Sequence, residues 1–318
     1  SYKQPHKLHM LYNYLIIGGG VAGVTAAEAI RGIDTQATIG VVSDEPYPLY
    51  SRVLLPNYLK NKIKREQVFL RTLQDFYEKN IDLILEQKVA GLDTQKQTVS
   101  LDNGKSIEYE KLLISSGGRA KPWGENSIQS LIYRLQTLDD ADKLFADLGK
   151  IKKPMVIGGS FISLEFLEIF LLSKTIPTLL LDKAFYFSRL VEENGGKIIH
   201  KNFEKHGIKI LTGDQVEYAN LKTQGGAEVV TRLGHNLESD ALAVGIGLKK
   251  NLEFLIGKIV LGQDSVRTNE FLETNQKNIW AAGDIAEFYD VILGKHRSVG
   301  NWTNSFLQGQ KAGLNMAG

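Results

Sequence analysis

Leu15-Ile16-Ile17-Gly18-Gly19-Gly20-Val21-Ala22-Gly23 is an apolar run that enters a complete G-x-G-x-x-G, and Val24-Thr25-Ala26-Ala27-Glu28 carries on as a helix. The frame recurs at Met155-Val156-Ile157-Gly158-Gly159-Ser160-Phe161-Ile162-Ser163-Leu164-Glu165, with serine at the second and third glycine positions. Glycines in such a turn let the backbone approach a pyrophosphate at the N-terminus of the following helix, where free N–H groups and the helix dipole favour negative charge. The first turn is therefore expected to hold a dinucleotide firmly. The second is expected to be weaker or differently used.

Downstream residues strengthen the first reading. After the helix comes a second apolar run, Ala37-Thr38-Ile39-Gly40-Val41-Val42, and then Ser43-Asp44-Glu45. An acid at the end of the next strand is placed to bond an adenosine ribose. Asp44 is the first choice and Glu45 the reserve. In the second copy, Thr178-Leu179-Leu180-Leu181 ends in Asp182, whose carboxylate suits a ribose 2′-hydroxyl and repels a 2′-phosphate. NADH is therefore expected over NADPH, although the neighbouring Lys183 pulls the other way.

Composition narrows the chemistry. The 318 residues include 38 basic and 36 acidic side chains, and the net charge of +2 gives no case for nucleic acid or a membrane surface. The apolar stretch from Phe166 to Leu172 is far too short to span a bilayer. No secretory signal is legible, and a cytoplasmic location is expected. There is no cysteine, which excludes a redox disulfide, a cysteine-ligated cluster and a zinc–thiolate site. The six histidines have no ligand spacing, so no metal site is expected. No side-chain catalytic constellation can be assembled either, and a bound cofactor must do any chemistry.

The chain also repeats itself. Residues 12–118 read as strand, helix, strand, a helical stretch near 64–80, and short strands near 84–92, 96–101 and 106–110. A type I′ turn at Asp102-Asn103-Gly104 is expected in the last hairpin, followed by a separate buried strand from Lys111 to Ser115. The second half repeats the order with a strand at 155–157, a helix at 161–173, a strand at 178–182, a helix near 190–206 and strands around 208–220 and 227–233. Ala241 to Gly247 then ends in a glycine pair. Two such units read as duplicated nucleotide-binding domains of α/β class. Lys277 to Asp284 adds an apolar strand ending in Gly-Asp, before a terminal helix from about Thr303 to Met316.

Four motifs together carry a resemblance. They are the first glycine turn; Asp44-Glu45-Pro46-Tyr47-Pro48-Leu49-Tyr50-Ser51-Arg52; Ser115-Ser116-Gly117-Gly118-Arg119; and Ile279 to Asp284. The tail from Trp302 through Gln308-Gly309 to Asn315-Met316-Ala317-Gly318 fits as well. The chain resembles flavoproteins of the pyridine nucleotide–disulfide oxidoreductase superfamily over about residues 12–318. The likeness is to their cysteine-free branch: rubredoxin and ferredoxin reductases and the flavin module of assimilatory nitrite reductases.

That resemblance implies two Rossmann-like domains in the glutathione-reductase-like arrangement, the second inserted in the first. Residues 10–119 and 246–318 would form a discontinuous FAD-binding domain and 120–245 an NAD-binding domain, with 1–9 a tail and Met10 a natural start. For FAD it implies Gly18, Gly20, Val21, Ala22 and Gly23 around the pyrophosphate and Asp44 or Glu45 on the ribose. Arg52 would lie along the pyrophosphate and flavin, Val89 would offer its backbone to adenine, and Ser116-Gly117 would pass beneath. Gly283-Asp284 would meet the ribityl chain, and Trp302 the pyrimidine edge. For NAD it implies Gly158, Ser160, Phe161, Ile162, Asp182 and Lys183, with Glu165 turned to the nicotinamide carboxamide. Ser160 and Ser163 are expected to crowd that site.

Two departures stand out. Asn57 occupies the place where many ferredoxin reductases have a lysine near the flavin, so no cationic partner is expected there. The chain also stops at Gly318, where relatives continue into a C-terminal domain. A missing domain, an oligomer or another subunit is expected to supply the flavin's cover. The function implied is transfer of electrons from NADH through FAD to a separate protein such as rubredoxin or ferredoxin. The alternative is a flavin-binding conduit subunit of a larger complex with a degenerate nicotinamide site, and a weaker third is direct oxidation of NADH by oxygen.

Overall fold

The computed structural model describes residues 11–318, so the expected tail at 1–9 and the start at Met10 lie outside the described residues. Seven α-helices are found among them: α1 (Val21–Ile33), α2 (Leu55–Leu59), α3 (Leu73–Glu78), α4 (Leu138–Asp147), α5 (Phe161–Leu172), α6 (Glu193–Lys205) and α7 (Trp302–Ala317). The chain divides into two units. The first holds the described residues up to Ser51, then Phe69–Arg119 and Lys250–Gly318; the second holds Arg52–Val68 and Ala120–Lys249.

The first unit is built on a seven-stranded sheet. Its parallel part runs in the order Ile81–Ile84, Ile39–Val42, Leu11–Ile17, Ser106–Ile114 and Ile279–Ala281. Leu15, Ile16, Val41, Leu112 and Leu113 are fully buried, as strands covered on both faces require. Helix α7 lies on α1 at glycine distance. A Cβ on Gly309 would fall 2.2 Å from the carbonyl oxygen of Ala22, and one on Gly313 2.5 Å from that of Ala26. Only glycine at both places lets the two backbones meet, and this lays the middle of α7 along the first turns of α1.

The second unit repeats the plan with a five-stranded parallel sheet, in the order Lys209–Leu211, Thr178–Leu180, Pro154–Ile157, Ala241–Val244 and Ile132–Tyr133. An antiparallel meander of Val216–Leu221, Ala227–Thr231 and Asn236–Ser239 accompanies it. It matches the Val89–Asp93, Thr98–Leu101 and Ser106–Ile114 meander of the first unit.

Four expectations need correction. Residues 52–68, assigned by sequence to the first domain, pack within the second unit, as do 246–249. The reason is a set of side chains: Lys60 pairs with Glu165 and Glu168, Arg65 with Asp142, and Tyr58 stacks on Phe145 at 4.8 Å. The helix expected near 64–80 is a 3-10 turn at Arg65–Val68 and the short α3, because the backbone N–H groups of Leu70 and Arg71 turn aside to the Leu49 carbonyl. The strand from Lys111 is continuous with Ser106–Ile114. The Asp102–Gly104 loop is not type I′, which needs positive φ at both central residues. Only Gly104 is left-handed, at +82°, as in a three-residue loop with a bulge.

Candidate functional site

Each unit places a glycine turn where a parallel strand feeds a helix. In the first, Gly18 has φ +116°, and a Cβ there would lie 2.3 Å from the Ser115 carbonyl oxygen. A Cβ on Gly23 would lie 2.0 Å from the Gly18 carbonyl oxygen. Gly20 differs, because nothing stands within 4 Å of the place its Cβ would take. No side chain caps α1 at Gly20, and its first turn holds no acid. The result is an open cradle of unclaimed N–H groups at a helix N-terminus, which suits a pyrophosphate.

Several of the other residues expected around this turn are tied to it or to one another. A Cβ on Gly19 would touch Ser43, which ties the Asp44-Glu45 corner to the turn. Asp44 is ion-paired with Arg119, and Glu45 accepts the Tyr50 hydroxyl at 2.5 Å. Gln87 N–H donates to the Ser43 carbonyl, which brings the chain to Val89. Asn251 clamps Ser116-Gly117 by donating its Nδ2 to the Ser116 carbonyl at 2.8 Å and its N–H to that of Gly117 at 3.1 Å. Gly283 donates its N–H to Gln308 Oε1 at 2.8 Å, and a Cβ on it would come within 3.0 Å of the Ala22 Cβ. Asp284 accepts from Ser305 Oγ at 3.1 Å, and Trp302 opens α7 behind an Asn301 cap. Arg52 is grouped with the second unit, where its guanidinium donates to the Gln136 carbonyl.

The second turn is built differently. Gly158 again has positive φ, +105°, with the Gly245 carbonyl oxygen 2.5 Å from its absent Cβ. Here Ser160 caps α5, its Oγ accepting the Ser163 N–H at 3.2 Å. Ser163 is fully buried and donates its hydroxyl to the Gly245 carbonyl at 3.2 Å. A Cβ on Gly245 would sit 2.2 Å from that hydroxyl oxygen. The expected crowding by Ser163 is thus relieved, since glycine on the facing strand end leaves the room. Ser160 differs from Gly20 in that its hydroxyl occupies an N–H of the helix's first turn.

Around this turn, the fully buried Tyr186 donates its hydroxyl to the Ser160 carbonyl at 2.5 Å and its N–H to His200 Nε2 at 3.0 Å. Burial holds the His200 imidazole below its ordinary pKa, in keeping with a ring nitrogen that must accept. Phe187, at φ +55°, lays its ring against that of Phe161 at 4.7 Å, and Phe161 and Ile162 are themselves exposed. Asp182 and Lys183 pair at 3.3 Å, both about half exposed, which leaves their attraction weak. Glu165 meets Lys60 at 2.5 Å, and the same ammonium reaches Glu168 at 2.5 Å. Lys60 is 5% exposed; burial lowers its pKa, but the two carboxylates outweigh this and the net shift is upward. Lys60, three residues after Asn57, is thus a cation committed to Glu165 and Glu168.

Lys60, Asn251, Ser305, Gln308, Tyr186 and His200 were not picked out from the sequence. None has a local signature, although Ser305 and Gln308 lie within the tail from Trp302 to Gly309. No group of three or more histidines and acids among the described residues is placed to hold a metal.

Residues 12–309 match the pyridine nucleotide-disulphide oxidoreductase family. The chain belongs to that family. As a member of it, it is 29% identical over 309 residues to the NADH-rubredoxin oxidoreductase of Clostridium acetobutylicum, covering 96% of this chain and 74% of that protein. It is also 29% identical over 308 residues to the NADH-dependent phenylglyoxylate dehydrogenase subunit epsilon of Aromatoleum evansii, covering 96% and 72%. Among solved structures, the reductase of the covalent putidaredoxin reductase–putidaredoxin complex superposes with a TM-score of 0.91 at 26% identity, over 96% of this chain and 75% of that one. This member lacks the cysteines for which the family is named. No helix among the described residues is long and apolar enough to cross a membrane.

Proposed function

We propose that the chain is an FAD-dependent NADH:acceptor oxidoreductase that serves a separate electron-carrier protein. The observation that carries this is the pair of strand–glycine-turn–helix cradles in duplicated parallel sheets, the first open at Gly20. Bound FAD would supply the chemistry, taking a hydride from NADH and releasing electrons singly, so that one NADH and two oxidised acceptors give NAD⁺, a proton and two reduced acceptors. The residues of the chain bind and orient. Gly18 to Gly23 would hold the FAD pyrophosphate, Asp44 or Glu45 the adenosine ribose, and Ser116-Gly117 and Gly283-Asp284 the rest of the cofactor. The N-terminus of α7 at Trp302 would favour negative charge at the flavin's edge. In the second unit, Gly158 and the N-terminus of α5 would take the nicotinamide dinucleotide, with Asp182 on its ribose and Glu165, held by Lys60, at the carboxamide. A cytoplasmic location goes with this reading, as NADH is supplied there.

One observation favours a second reading. Ser160 caps the helix end that the nicotinamide nucleotide would use, and one relative is itself a subunit of a larger enzyme. In that case the chain would be a flavin-bearing electron conduit. Anaerobic titration of the FAD-loaded protein with NADH separates the two. Bleaching of the flavin supports the oxidoreductase; a flavin that stays oxidised in NADH and bleaches with dithionite supports the conduit. NADPH at matched low concentration is expected to bleach it more slowly, because Asp182 repels a 2′-phosphate.

A further inference from the structure

We infer that the hairpin between Asp284 and Trp302 is the docking site for a small acidic one-electron carrier; the inference rests on the proposed protein-acceptor function. Strands Ala286–Asp290 and Lys295–Arg297 pair antiparallel, and the tip between them is Val291-Ile292-Leu293-Gly294. Its three aliphatic side chains are 64%, 91% and 51% exposed. Three consecutive bare aliphatics at a turn are costly for solubility and are not needed by the fold.

The tip is also built to stay in place. Asp290 Oδ1 accepts the N–H groups of Ile292 and Leu293 at 3.0 Å each, and Gly294 takes φ +61° to close the loop. The hairpin's base is tied down where Ser298 Oγ meets Ser265 Oγ at 3.0 Å. A preformed apolar projection loses little entropy on docking.

Charge around the tip is sorted by depth, and this selects the occupant. Asp290 is 16% exposed while its partner Arg297 is 43% exposed. Glu287 is 15% exposed, fitted against the backbone of Gly262, while its partner Arg267 is 46% exposed. Lys295 is exposed as well. In these two pairs the acid lies beneath and the cation faces outward, whereas at the hairpin's base the order reverses, with Asp264 76% and Lys250 16% exposed. A partner at the tip therefore meets an apolar centre with Arg267, Lys295 and Arg297 beside it. The complement is an apolar patch ringed by carboxylates. Both ends of the hairpin run directly into residues proposed to hold the flavin, Asp284 and Trp302.

The experiment compares steady-state reduction, with NADH, of an acidic rubredoxin and of menadione, a neutral acceptor that needs no docking surface. Ile292→Asp is expected to raise KM for rubredoxin about tenfold, the usual loss at an interface anchor, with kcat and the menadione rate unchanged. Lys295→Glu should raise the same KM and flatten its dependence on salt. Since both side chains are exposed, melting temperature and flavin content should stay at parental values. A rubredoxin KM unaltered in both variants overturns the docking site while leaving the proposed function standing. Kinetics unaltered while Ile292→Asp changes the sedimentation of the protein alone also overturns it, in favour of a second copy of the chain at the tip. A parent that reduces menadione but not rubredoxin overturns the protein-carrier reading and this inference with it.

Discussion

Ser163 donates its hydroxyl to the carbonyl of Gly245 at 3.2 Å, and the two residues share one space: a Cβ on Gly245 would lie 2.2 Å from the same Ser163 oxygen. The first repeat solves the same packing problem with the roles exchanged. There the helix carries Gly23 and the strand end carries Ser115, whose Oγ would lie 2.7 Å from a Cβ on Gly23. Ser115 and Gly245 are equivalent, each donating its N–H at 2.8 Å to the last residue of the central strand, Ile17 or Ile157. Each repeat therefore admits one serine between strand and helix, and the two repeats place it on opposite sides.

Stability of the second unit should follow from that exchange. Gly245→Ser alone should cost about 2 kcal/mol through overpacking. Ser163→Gly added to it should restore at least half of the loss, since the room is vacated. Chemical denaturation of the single and double variants gives the coupling energy; additive effects would show that the two side chains do not compete.

Ser160→Gly should tighten NADH binding. The change removes the hydroxyl that accepts the Ser163 N–H at 3.2 Å and returns that donor to the phosphate. Glycine at a helix cap costs only a few tenths of a kcal/mol relative to serine, so the fold should tolerate it. Anaerobic NADH titration of the variant reads the effect, and an unchanged or weaker response would mean that the serine is itself a phosphate contact.

Lys60→Gln should slow flavin reduction by NADH more than it lowers FAD content. The ammonium is nearly buried between Glu165 and Glu168, whose carboxylates are 35% and 47% exposed and can rehydrate. The stability cost should therefore be about 1–3 kcal/mol, the range for a lost charged hydrogen bond, and less than for a fully buried pair. Stopped-flow reduction under anaerobic conditions, alongside the flavin-to-protein ratio, separates the two effects.

His200 should make the second unit sensitive to mild acid. Burial depresses its pKa, and its Nε2 accepts the Tyr186 N–H, so folding favours the neutral ring. For such a group the stabilisation is complete above the unfolded value of 6.5 and is lost as pH falls through the lower folded value. Thermal melts between pH 8 and 5 should show the parent losing stability below about 6.5 and His200→Gln losing less. Parallel curves would refute the role.

The glycine turns, the repeat and the acids after each second strand were legible in the sequence because they are local. Positive φ at Gly18 and Gly158, and the need for bare backbone at Gly23, are constraints that one residue type meets within a few positions of chain. Apolar runs likewise mark buried parallel strands wherever those strands pair. What lay beyond reach depended on partners far apart in the chain. Ser163 finds Gly245 across 82 residues, and Lys60 finds Glu165 across 105. From sequence alone, Ser163 reads as a defect in a glycine motif, and nothing near Lys60 in the chain names its partners. Residues 52–68 read as a continuation of the first domain, yet they pack within the second, since ion pairs and a ring stack outweigh adjacency in the chain. The sequence by itself determined which turns exist and what kind of ligand they suit. The tertiary structure decided which serine is accommodated and which cation holds Glu165, because burial and pairing energies belong to neighbours in space.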